Sequence, residues 1–136
     1  MSEFSLHPQL AQDCLFVCDL KLSRVLLMND CNFPWTILVP RIEGALDVYT
    51  LSEENQLTLT QESALLARTM MSLFRGEKMN VAALGNMVPQ LHIHHIVRNQ
   101  GDPAWPKPVW GCLQAVPYTA EEATAICESL ATGLNL

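Results

Sequence analysis

The stretch Asn80-Val81-Ala82-Ala83-Leu84-Gly85-Asn86-Met87-Val88-Pro89-Gln90-Leu91-His92-Ile93-His94-His95-Ile96-Val97-Arg98 holds three of the chain's four histidines. In an extended strand alternate side chains share a face. Gln90, His92, His94, Ile96 and Arg98 then point one way, and Leu91, Ile93, His95 and Val97 the other. The second set is apolar apart from His95, as expected of a strand packed on a helix. His95 reads as a hydrogen-bonded core or rim residue rather than a catalyst. The first set is polar and reads as the lining of a site. A His-x-His pair is a weak signal alone: it suits a phosphate site, a pair of metal ligands, or an exposed sheet face that happens to carry imidazoles.

Working outward, Met79–Leu84 and Leu91–Val97 are predicted strands. Upstream, Cys14–Cys18 and Ser23–Met28 form two short apolar runs, and Asp19–Leu22 between them suits a hairpin. The turn-rich Asn29–Pro34 leads into a third run, Trp35–Val39, stopped by Pro40. Pro8–Asp13 is read as one helical turn. A long helix is predicted from Ser52, with Glu53 and Glu54 favourable to its dipole. Leu59, Leu66, Met70 and Leu73 fall on one face with Ala67 and Phe74 alongside, and Gly76 is the stop. Gly101–Gly111 carries Pro103, Pro106 and Pro108 and cannot be regular structure. A capping box from Thr119 to Glu122 opens a final helix, whose apolar face is Ala123, Ile126, Cys127, Leu130 and Leu134. Hairpin-linked strands with inserted helices predict an α+β fold: about five antiparallel strands, one long helix and a C-terminal helix, in one domain over residues 1–136.

The composition narrows function. The 136 residues are 49% hydrophobic and 16% charged, with a formal charge of −6 and only 8 Lys+Arg. No basic stripe offers itself to a nucleic acid, so no nucleic-acid partner is expected. No run reaches the roughly 18–20 apolar residues of a membrane span, and Met1-Ser2-Glu3-Phe4 lacks the features of a signal peptide. A cytoplasmic protein with no membrane partner is expected. The five cysteines, Cys14, Cys18, Cys31, Cys112 and Cys127, include no Cys-x-x-Cys pair and read as reduced thiols, mostly used as small hydrophobes.

The Gly85–Arg98 run resembles the signature of the histidine-triad superfamily, in which a Gly-rich or amide-bearing loop precedes a strand reading His, apolar, His, apolar, His. Matched from Gly85 and Arg98, Gln90 takes the first triad place, His92 the middle and His94 the last. Met28-Asn29-Asp30 and Ile37–Arg41 are similar to the family's ribose-contacting residue and the strand beyond it. The resemblance spans about residues 14–98 and is strongest to small bacterial members with a Gly-Asn-x-Val-Pro-Gln-Leu-His-x-His pattern.

The resemblance implies a HIT-like fold and attack on the α-phosphorus of a nucleoside phosphoanhydride or phosphoramidate, through a covalent nucleotidyl-histidine. It makes His92 the nucleophile, freed when its other nitrogen donates to a backbone carbonyl. His94 then supplies charge or a proton beside the phosphate or leaving group. Asn80 and Asn86 are expected to donate to phosphate oxygens, and Asn29, ahead of Asp30, to hold the ribose. A small nucleotide is the implied partner, with no cofactor, no metal and a homodimeric assembly. Two departures stand out: Gln90 replaces a histidine and cannot carry charge, and Trp35 stands where many relatives have a supporting histidine. The alternative is a non-catalytic nucleotide-binding or regulatory module. Trp105 and Trp110 read as base-stacking groups, a plug in a dimer seam, or a rigid tail on the sheet.

Overall fold

The computed structural model describes residues 3–135, so the part of the terminal reading that rests on Met1 and Ser2 lies outside the described residues. Five strands, β1 (Cys14–Asp19), β2 (Ser23–Met28), β3 (Trp35–Pro40), β4 (Lys78–Ala83) and β5 (Ile93–Arg98), form one sheet in the order β1-β2-β3-β5-β4. All four pairings are antiparallel. The α-helices among the described residues are α1 (Pro8–Asp13), α2 (Glu53–Phe74) and α3 (Ala120–Leu134), with a single 3-10 turn at Val48–Thr50. The predicted α+β architecture is what the chain adopts. Among the described residues, no helix is long and apolar enough to cross a membrane.

Each face of the sheet carries its own core. On one face, Val25, Leu27, Leu38, Ile93 and Val97 pack against Leu59, Leu66 and Met70 of α2 and Leu130 and Leu134 of α3. On the other, Leu26, Trp35, Ile37, Val39 and Ile96 are covered by Leu10 of α1 and by Ala104 and Val109 of the proline-rich segment. Strand β5 contributes to both layers, which is why all six of its residues are buried.

Two local readings shift. The ladder of β5 begins at Ile93, so Gln90, Leu91 and His92 approach the sheet as a loop. On α2 the buried positions are Leu59, Glu62, Leu66 and Met70, whereas Leu73 is exposed and Phe74 takes its expected place against the core. Glu62 is inward for a polar reason: its carboxylate accepts from the backbone N–H of Leu22 and Ser23 at 2.8 and 3.1 Å, tying the first hairpin to α2. The helix ends with Arg75 in the left-handed region (φ 51°), one residue before Gly76. Gly76 is needed for space instead, since a Cβ there would lie 2.5 Å from Val97 Cγ1.

Ser52 caps α2 through Asn55 N–H, and the Thr119–Glu122 box caps α3 as expected. All five cysteines are free thiols. Cys14 and Cys18 are buried and Cys127 is half-buried, but Cys31 and Cys112 are exposed and do not act as core hydrophobes.

Candidate functional site

At the start of β5, His94 on the strand and His92 in the loop before it stand with ring centroids 4.9 Å apart and planes at 71°. They line a cleft of about 430 Å³ walled by Leu10 and Asp13 of α1, Met28, Trp35, the loop Leu84–Val88, and Trp110. A second cleft of about 430 Å³ holds Gln12, Asn29, Asp30, Leu113 and Pro117. The two share Asp13, Met28, Trp35 and Trp110 as common wall. Each volume falls in the range of small-molecule sites.

The hydrogen bonds fix which nitrogen of each imidazole carries the proton. His92 Nδ1 lies 2.7 Å from the carbonyl oxygen of Gln90. A carbonyl only accepts, so Nδ1 bears a proton and the neutral ring keeps its lone pair on Nε2. Trp35 Nε1 donates to His94 Nδ1 at 3.0 Å. An indole N–H only donates, so neutral His94 carries its proton on Nε2. Neither Nε2 is bonded to a described residue, and both rings line the cleft. One histidine therefore offers a lone pair and its neighbour a donor.

Burial, then the adjacent His92 and His95, hold the His94 imidazole down to about 4. The Trp35 donor acts in the same direction, because a protonated Nδ1 would face another N–H. His94 is thus neutral near pH 7 and contributes a hydrogen bond rather than a charge. His95 faces the helix layer, as its apolar neighbours indicated. Its Nδ1 meets Ile93 O at 3.1 Å and its Nε2 meets Ser63 Oγ of α2 at 2.7 Å, and burial brings it to about 4.

The other expected site residues separate. Asn86 lines the histidine cleft with its carboxamide unbonded among the described residues. Gly85 beside it has φ +117°, a conformation that admits glycine most readily and sets the loop against the histidines. Asn29 lines the second cleft; its Oδ1 accepts from Tyr118 N–H at 2.9 Å, leaving Nδ2 to donate. Asp30 is buried and uses Oδ1 to accept from Asn32 and from Val116 N–H, while its other oxygen takes no bond among the described residues.

Asn80 is not among the residues lining either cleft, and its Oδ1 accepts from Arg98 Nη1 at 2.9 Å. Arg98 also meets Asp102 through Nε and Nη2 at 2.8 and 3.1 Å, and donates to Lys107 O. This polar cluster folds the proline-rich segment onto the sheet. Trp105 sits over the Arg98 guanidinium, while Trp110 meets the edges of His94 and Trp35 at 5.1 and 5.8 Å. Of the two tryptophans, only Trp110 belongs to the clefts. The Gln90 side chain is also not among the lining residues: it bonds Ser5 O and His7 N.

Leu10, Gln12 and Asp13 are wall residues that the sequence did not single out, and Met28 entered it only as the neighbour of Asn29. Nothing in the local pattern of Pro8–Asp13 distinguishes a site wall from a surface turn. Among the described residues, no group of three or more His, Cys, Asp or Glu side chains is placed to hold a metal ion.

The HIT domain matches residues 9–101 of the chain. A histidine triad protein of Marinobacter aquaeolei is 54% identical, with 98% of each chain covered and a TM-score of 0.96. Histidine triad proteins of Bradyrhizobium japonicum (41% identity, 98% of this chain and 99% of that one, TM-score 0.95) and Sinorhizobium meliloti (39%, 96% of each, 0.93) are also similar. No curated protein matches. The match over residues 9–101 and the identity to solved histidine triad proteins place the chain in the HIT-domain family.

Proposed function

We propose that the protein is a nucleotide hydrolase or transferase that attacks the α-phosphorus of a nucleoside phosphoanhydride or phosphoramidate through His92. The observation that carries this reading is the pair of opposed tautomers at one cleft, with a lone pair on His92 Nε2 beside an N–H on His94 Nε2. In the first step a bond forms between His92 Nε2 and phosphorus. The bond from phosphorus to the leaving group breaks, and its electron pair departs with that group, which takes its proton from solvent. Water then attacks phosphorus and gives up a proton to solvent, the P–N bond breaks with its electron pair returning to His92 Nε2, and the nucleoside monophosphate leaves. His94 Nε2–H and Asn86 Nδ2–H serve the phosphate oxygens as their charge grows. Asn29 Nδ2–H holds the ribose in the second cleft. Asn80 serves the site at one remove, through Arg98.

The glutamine at position 90 is compatible with turnover, because the group that orients His92 is the backbone carbonyl of that residue. Incubation with an adenylyl phosphoramidate and with a diadenosine polyphosphate, comparing wild type and His92→Ala, tests the reading. Release of nucleoside monophosphate by wild type alone is expected. Equal release by both sinks it, and tight nucleotide binding without turnover would instead favour a regulatory binding module.

A further inference from the structure

The Gln90 side chain reaches away from the histidine it precedes. Its Oε1 accepts from His7 N–H at 2.8 Å and its Nε2 donates to Ser5 O at 2.9 Å. These partners are 83 and 85 residues distant in sequence. A carboxamide carries a donor and an acceptor side by side, and it closes on the backbone of residues 5–7 as a neighbouring strand would. From there the chain passes directly into α1: His7 Nδ1 accepts from Gln9 N–H as the helix cap, and Pro8 occupies the first turn. Phe4, Leu6 and Leu10 pack against the core that contains Trp35 and Ile96. Leu10 and Asp13 then form one wall of the histidine cleft.

We propose that Gln90 is a positioning residue whose side chain anchors the residue 3–7 strap and thereby seats α1 as a wall of the substrate cleft. One residue then does two separable things. Its carbonyl orients His92 whatever side chain it bears, while its carboxamide builds the wall. Neither the acid of the same length nor an imidazole meets both backbone groups. Glutamate would turn an acceptor oxygen on the Ser5 carbonyl. The two nitrogens of an imidazole diverge across a ring carbon and cannot reach both. A histidine at 90 would complete a run of three alternate histidines yet release the strap.

The kinetic part of the test rests on the nucleotide reading above. With an adenylyl phosphoramidate as substrate, Gln90→Ala and Gln90→His should each raise KM about tenfold, the scale of two backbone hydrogen bonds, with kcat within about twofold of wild type. Leu6→Ala should raise KM in the wild-type background and add little to Gln90→Ala, because both act through the strap. Amide exchange at His7 should quicken in both Gln90 variants. A higher kcat/KM in Gln90→His, or a fall in kcat at constant KM, would overturn the proposal by showing that the side chain acts on the histidines. If wild type turns over no nucleotide, the functional reading fails, and His7 exchange still decides: unchanged protection in both Gln90 variants refutes the strap, and lost protection supports it.

Discussion

Trp35 decides which nitrogen of His94 carries a proton, and so whether the cleft meets a donor or a lone pair there. Trp35→Phe keeps an aromatic ring against Phe33 and Trp110 but deletes the N–H. We expect stability to fall by about 1 kcal/mol and kcat by about tenfold, from urea unfolding and steady-state rates. The same buried imidazoles give a pH signature. His94 and His95 titrate at about 4 in the folded chain, against 6.5 for the free side chain. Between those values the unfolded chain binds protons that the folded chain excludes. Their stabilisation is therefore complete above about pH 6.5 and is lost as pH falls toward 4. At its steepest the loss is about 1.4 kcal/mol per pH unit for each histidine. Unfolding free energies at pH 7, 6 and 5 that did not decline would contradict this. The opposite facing of His92 and His95 was legible from alternation alone. The partner of His94 was not, because Trp35 lies 59 residues away and its pairing depends on sheet order.

At the scale of elements, the strands and the capped helices follow from runs and caps that the sequence displays openly. The role of the Gly101–Gly111 segment does not. Arg98 shares the polar face with His92 and His94, and a sequence cannot say that one end of that face opens on a cleft while the other is roofed by a loop. Here Arg98 is only 2% exposed, and its fork holds Asp102, which in turn accepts from the N–H groups of Asn99, Ala104 and Trp105. These bonds hold the Asp102 carboxyl down to about 2. Asp102→Ala would leave a buried guanidinium without its counter-charge, bonded only to Asn80 and the Lys107 carbonyl. Its expected cost is about 3 kcal/mol in urea unfolding, with a rise in KM as Trp110 loses its seating. A variant with wild-type stability would mean that the segment is held by its apolar contacts alone. The displacement of Leu73 from the helix face has a similar origin, since both 73 and 74 satisfy helical spacing and only the position of α2 on the sheet chooses between them.

The whole molecule carries a formal charge of −6, and no Lys or Arg lines either cleft. Phosphate recognition then falls to neutral donors, and Asp13 at the junction of the clefts disfavours further negative charge. An adenylyl phosphoramidate should accordingly be turned over with a higher kcat/KM than a diadenosine polyphosphate. Added salt should narrow the gap, as screening shortens from about 10 Å at 0.1 M to about 3 Å at 1 M. A preference for the polyphosphate that grows in low salt would contradict that account. Of the two edge strands, β4 exposes Val81, with exposed Leu84 just beyond it, and β1 exposes Phe16; a dimer mass in sedimentation is expected of the homodimer that the family resemblance implies. The most direct test of the central claim is the mass of protein quenched in alkali during turnover of an adenylyl phosphoramidate. One nucleoside monophosphoryl group should be added, located on His92 and absent from His92→Ala. Turnover with no covalent adduct, or an adduct on His94, would contradict it.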